Sequence, residues 1–177
     1  MLLVAAAMVA VVVVATTAAA DASPCSFSSF HAHCRLDSVF KNGTCAQVEA
    51  FFTKQFSSCC ASHVNPDYTN WKLDSSSATK LTGHITLPSG YVDDQEVYLS
   101  AADGGGCHAT VCSQSRSLSY YDYKYNAIEA FNLANANGRF QQTFSVSDAT
   151  CKFHPTLPAG GAEWRACAAD QHACRST

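Results

Sequence analysis

Ten cysteines, Cys25, Cys34, Cys45, Cys59, Cys60, Cys107, Cys112, Cys151, Cys167 and Cys174, all lie downstream of a long apolar run that opens the chain. An even set behind such a run reads as a disulfide framework rather than as zinc thiolates or free thiols, because an oxidising compartment joins thiols in pairs. Five bridges are expected. Closing a loop of ten to forty residues is worth roughly 3–4 kcal/mol in the chain-entropy picture, so together the cross-links rival the net stability of a domain.

The apolar run, Leu2 to Val14, has the length of a signal-peptide h-region and gives way to the small residues Ala18-Ala19-Ala20. Residues 1–20 therefore read as a signal peptide, cut after Ala20 or Ala22, and the product as secreted and extracellular. An uncleaved anchor is the lesser alternative, since the second half of the segment is small and carries two threonines. Residues 21–177 read as a single disulfide-stapled α+β domain with no membrane span after removal of the signal. Charged residues make up 14% of the chain, and eleven basic and fourteen acidic side chains are scattered singly. No basic cluster offers nucleic acid or an anionic membrane an electrostatic footprint, so neither is an expected partner.

The strongest helix signal begins at Thr44. Thr44 and Gln47 form a capping box, and Cys45, Val48, Phe52, Phe56 and Cys59 then fall on one stripe, widened by Phe51 and Cys60. An N-terminal amphipathic helix over about 45–60 is predicted. At 1.5 Å per residue Cys45 and Cys59 would stand about 21 Å apart, too far to pair with each other. Cys59 and Cys60 leave the helix on different sides, and Cys25 and Cys34 are the nearest candidate partners for them. The full connectivity stays open among roughly 945 pairings.

Beyond the helix the period changes from 3.6 to 2. Ser75 to Ser77 read as a turn-rich break, after which Leu81, Ile85 and Leu87 alternate with polar residues. Strands are also predicted at Glu96–Ala101, Leu118–Tyr123, Phe140–Val146 and Cys151–Phe153, with turns at Pro88-Ser89-Gly90, 103–106, Asn137-Gly138 and Ser147-Asp148. Asn126 to Ala134 fits helix or strand, and Ala162 to Ala173 has helical composition. The fold class is thus α+β: a small disulfide-rich domain with the helix packed on a mostly antiparallel sheet. Asn42-Gly43-Thr44 is an N-glycosylation sequon in a loop just before the helix, and Asn42 is expected to carry a glycan.

Candidate chemistry is sparse. Cys59-Cys60-Ala61-Ser62-His63 resembles, over five residues, the helix of secreted phospholipase A2, in which paired cysteines precede the catalytic histidine. In that family an aspartate follows the histidine and a glycine-rich calcium loop lies upstream; here Val64 follows and no such loop precedes. The resemblance therefore implies no calcium chemistry, and His63 reads as a surface histidine at a helix end. The Cys-Cys pair is also similar to that of plant lipid-transfer proteins, whose Cys-x-Cys element this chain lacks.

His31-Ala32-His33-Cys34 places two histidines on one side of an extended segment, but with Cys34 oxidised and no third ligand nearby, two solvent-facing histidines explain it without metal. Asp93-Asp94-Gln95-Glu96 lacks the spacing of a calcium loop and reads as a solvated turn. Gly104-Gly105-Gly106 reads as a tight turn before a disulfide, not a phosphate loop. No metal and no cofactor is expected. Tyr121, Tyr123 and Tyr125 would line one face of a strand, with Tyr120 opposite, and are the candidate ligand-binding residues.

Two functional expectations follow. The leading one is a secreted disulfide-rich binding or interaction module for an extracellular ligand, whether small molecule, glycan or protein. The alternative is a secreted hydrolase in which His63, His84, His108 or His154 meets a carboxylate or hydroxyl in a deep cleft.

Overall fold

The computed structural model describes residues 24–58, 70–118, 125–136 and 138–152. Expectations for the leader, Cys59, Cys60, His63, Tyr120, Tyr121, Tyr123, His154, the 162–173 helix, Cys167 and Cys174 lie outside these residues.

Among the described residues six strands and two helices follow one another as β1 (His33–Phe40), α1 (Cys45–Ser58), β2 (Trp71–Ser76), β3 (Lys80–Thr86), β4 (Val92–Ala101), β5 (Cys107–Ser115), α2 (Tyr125–Ala134) and β6 (Gln142–Lys152). The strands form one sheet in the order β2-β3-β4-β5-β1-β6, and every neighbouring pair is antiparallel. The α+β, mostly antiparallel class is therefore present. The predicted helix is not the first element, because β1 precedes it. Its positions 34, 36, 38 and 40 are buried and those between them half-buried, the alternation of a strand with one face on a core.

The helix α1 starts where its cap dictates. The Thr44 N–H donates to Gln47 Oε1 at 3.0 Å and the Gln47 N–H to Thr44 Oγ1 at 3.3 Å, so two of the turn's orphan donors are satisfied reciprocally. Val48, Phe51, Phe52 and Phe56 are buried against Phe40, Trp71, Leu81, Ile85, Val97 and Leu99 of the sheet. Gly83 makes the closest approach possible: a Cβ there would lie 2.5 Å from the Phe56 ring and 2.4 Å from the Lys72 carbonyl oxygen. Opposite it, β2 carries a register shift between Leu73 and Ser75, so Ser75 and Ser76 belong to a bulged edge strand and not to the predicted break.

Among the described residues three bridges are present: Cys25–Cys112, Cys34–Cys151 and Cys45–Cys107. Cys25 and Cys34 thus have partners other than the Cys59 and Cys60 suggested by proximity in sequence. Cys45–Cys107 ties the start of α1 to β5, and Cys34–Cys151 joins residues directly opposite on β1 and β6. Cys112 lies on the sheet face away from the helices, in register with Arg35 and Glu96, so Cys25–Cys112 straps the segment before β1 across that face. Gly104, Gly105 and Gly106 all have positive φ and close the β4–β5 hairpin just before Cys107, as the turn reading required.

Other segments also depart from, or decide between, the expectations. Residues 93–96 are strand and not solvated turn; Asp93 and Gln95 are buried while Asp94 and Glu96 point outward. Ser147 and Asp148 lie inside β6, where 140–146 and 151–153 had been separate strands. Asn126 to Ala134 is helix, and Tyr125 opens it, so it cannot share a strand face with other tyrosines. Among the described residues no helix is long and apolar enough to cross a membrane.

Candidate functional site

Both helices cover one face of the sheet, which leaves the two ends of the strands as the places where loops gather. Phe30, Tyr91 and Leu118 are the large hydrophobic side chains standing exposed among the described residues, at 68%, 57% and 64%. Phe30 precedes β1, Tyr91 precedes β4 and Leu118 follows β5. Because His33 lies opposite Gln114 and Asp93 opposite Ser115, the starts of β1 and β4 flank the end of β5. All three side chains therefore sit at one end of the sheet.

Their loops are held. The Ser115 N–H donates to the Ala32 carbonyl at 3.0 Å, Arg116 N–H to Val92 at 2.9 Å, and Leu87 N–H to Tyr91 at 2.8 Å. His31 Nδ1 lies 2.7 Å from the Ser115 carbonyl, which fixes the proton on that nitrogen, and the Ser28 N–H donates to Gln114 Oε1 at 2.7 Å. Phe27 stacks on His33 with ring centroids 4.1 Å apart, burial lowers the His33 pKa, and the Cys25–Cys112 bridge anchors the whole segment. Arg116 grips Asp94 with two nitrogens, Nε lying 3.2 Å from Oδ2. Rigid loops presenting aromatic, aliphatic and arginine side chains have the composition of a protein-docking patch.

Just inside this end the core turns polar. Asp93, Gln95, Ser113 and Ser115 from β4 and β5 meet Asn126 and Glu129 from α2, and all six are buried. Gln95 Nε2 donates to Ser113 Oγ at 2.6 Å and to Glu129 Oε2 at 2.9 Å. The Ser113 hydroxyl donates to Asn126 Oδ1 at 2.7 Å, and Asn126 Nδ2 to Ser115 Oγ at 3.0 Å. Ser113 Oγ also lies 3.2 Å from Glu129 Oε2, which closes a ring of Gln95, Ser113 and Glu129, and the Asp93 carboxyl stands beside it. Burial pushes the Asp93 pKa up and the neighbouring Asp94 charge adds to this, while the bonds from Glu129 and Ser115 oppose it.

The opposite end carries Asn42, two residues past β1 and beyond the roughly 23 Å of strand that start at His33. It is exposed, and its Oδ1 accepts the Gln141 N–H at 2.7 Å. Among the described residues Nδ2, the atom a glycan occupies, makes no hydrogen bond.

The histidines divide differently from the expectation for a hydrolase. His84 Nδ1 lies 2.8 Å from Asp74 Oδ2, across the bulge in β2, and His108 Nε2 lies 3.4 Å from Asp37, which Arg35 and Thr110 also hold. Both pairs lie on the sheet face away from the helices, and among the described residues no hydroxyl or thiol hydrogen-bonds either imidazole. His31 and His33 are engaged with backbone carbonyls and share no ligand position. Among the described residues no group of three His, Cys, Asp or Glu is placed to hold a metal ion.

Sequence reasoning singled out neither Phe30, Tyr91 and Leu118 nor the buried ring. The available signal was positional: each of the three hydrophobics stands just outside a strand, where turn residues are usual. No protein-family model, curated protein or solved structure matches the chain.

Proposed function

We propose that the chain is an exported, disulfide-stapled binding module that docks a protein partner at the end of the sheet bearing Phe30, Tyr91 and Leu118. The observation that carries this reading is the gathering of the exposed large hydrophobics of three separate loops at one end. Scattered apolar side chains are ordinary on any surface, but a shared patch on braced loops lowers the ordering cost of association. A protein suits it better than a sugar, since Leu118 and Phe30 offer no hydrogen bond to hydroxyl groups. The signal-peptide pattern and the three bridges support export, and a glycan on Asn42 would hang from the far end, clear of the partner. The hydrolase reading has less support, because among the described residues its histidine–carboxylate pairs have no hydroxyl or thiol bonded to the imidazole.

The test is photo-crosslinking of the secreted, disulfide-intact protein with a photoreactive residue at position 91, followed by binding to the purified captured protein. Replacing Phe30, Tyr91 and Leu118 together by serine should weaken that binding at least about a hundredfold, two or more hot spots' worth, with the unfolding midpoint unchanged. Undiminished binding by the triple variant, or capture of a second copy of this chain alone, would refute the proposal.

A further inference from the structure

Asn42 lies in the turn that joins β1 to α1, yet a distant part of the chain holds its side chain. Its Oδ1 accepts the Gln141 N–H at 2.7 Å across a separation of 99 residues, and the Lys41 N–H donates to the Gln141 carbonyl at 2.8 Å. The residue before Gln141 is Phe140. A Cβ on Gly43 would lie 2.7 Å from Cε1 and 2.8 Å from Cδ1 of Phe140, so the ring rests against the middle residue of Asn42-Gly43-Thr44. Phe140 meets Phe40 and Phe51 edge to face, with centroids 5.4 Å and 5.9 Å apart, and stays half-buried where those two are buried. The exposed Arg139 places its guanidinium 5.6 Å from the centre of the same ring.

We propose that Phe140 and Arg139 form a subsite for the first N-acetylglucosamine of a glycan on Asn42, so that the sugar becomes part of the fold and ties the β1–α1 turn to the start of β6. The bond from Gln141 fixes the plane of the carboxamide, and among the described residues Nδ2, the atom that carries the sugar, makes no hydrogen bond. The C–H groups on one side of a pyranose ring carry partial positive charge and the face of a phenyl ring partial negative charge, so the two surfaces attract as both leave water. The guanidinium has donors for the hydroxyl and acetyl oxygens. Phe140 reaches the sequon only when β6 has paired with β1, so the contact exists in the folded chain and not in the unfolded one, and the sugar stabilises the fold by linkage. The subsite rests on the glycan expected at Asn42 and is independent of docking at the other end of the sheet.

The experiment compares one sequence in two disulfide-intact forms: secreted protein trimmed by an endoglycosidase to a single N-acetylglucosamine, and the same chain made in a host that adds no glycan. Intact mass establishes occupancy. Nuclear Overhauser contacts should join the sugar-ring hydrogens to the Phe140 ring, and the sugar should lower the unfolding constant by roughly two- to tenfold, the range of a contact with an aromatic face. Phe140→Leu keeps the apolar bulk but loses the π face, and it should abolish the difference between the two forms. Phe140→Tyr should preserve that difference, and Arg139→Gln should reduce it. Each comparison is between two forms of the same variant, so packing lost at position 140 cancels.

An unoccupied Asn42 in the secreted protein would overturn the proposal, together with the glycan it rests on. A sugar without contacts to the ring, or one that stabilises the Phe140→Leu protein as much as the wild type, would overturn the subsite while leaving the glycan in place.

Discussion

Gly83 and Asp93 face the same core and illustrate opposite kinds of constraint. At Gly83 the limit is space: the Phe56 ring and the Lys72 carbonyl occupy the volume a Cβ would need. Gly83→Ala is expected to cost about 1–3 kcal/mol, the range for overpacking, and to lower the urea midpoint without altering the slope. At Asp93 the limit is polarity, since a buried carboxyl needs partners and finds them in Ser115 and Glu129. The two were unequally legible. A glycine inside an alternating apolar strand signals close approach, whereas Asp93 and Gln95 on a buried face reverse the pattern from which burial is read, so residues 93–96 looked like a solvated turn. Tyr125 misled in another way, because four tyrosines in six residues have strand composition yet the last of them opens a helix.

At the scale of elements, legibility follows local chemistry. α1 was readable because its cap and its 3.6-residue stripe agree, and β3 because Leu81, Ile85 and the residues between them alternate cleanly. β1 and β5 were not read as strands. In β1 the buried positions are Cys34, Leu36, Ser38 and Phe40, half of them small and only one aromatic; in β5 the buried face carries Ser113 and Ser115, whose partners come from α2 across the core. Tertiary hydrogen bonding replaced apolarity there, and no local pattern reports it. The cap is testable in protein freed of glycan. Thr44→Ala should lose about 1 kcal/mol relative to Asn42→Gln, which removes the sequon but leaves the cap, while Thr44→Ser should stay within a few tenths. Equal stability of Thr44→Ala and Asn42→Gln would show that the reciprocal bonds with Gln47 contribute nothing.

Over the whole molecule the sheet has two unlike ends. One carries Asn42, the triple-glycine hairpin and the Cys45–Cys107 bridge; the other carries Phe30, Tyr91 and Leu118 above the buried ring. The bridges span sequence separations of 87, 117 and 62 residues, so each removes considerable freedom from the unfolded chain. Cys25–Cys112 also holds the segment bearing Phe30 in place. The number of cysteines announced such a framework, but which cysteines meet depends on strand order, and strand order is set by the register of β1 between β5 and β6, which no spacing in the sequence reveals. The most direct test of the two-ended account is a glycan wedge. Ser117→Asn creates a sequon with Leu118 and Ser119 at the apolar end while sparing all three hydrophobic side chains. With the added glycan confirmed by mass, binding to the crosslinked partner should be abolished, and the Asn42→Gln protein should bind as the wild type does. Full binding by the wedged protein would contradict the assignment of that end as the recognition surface.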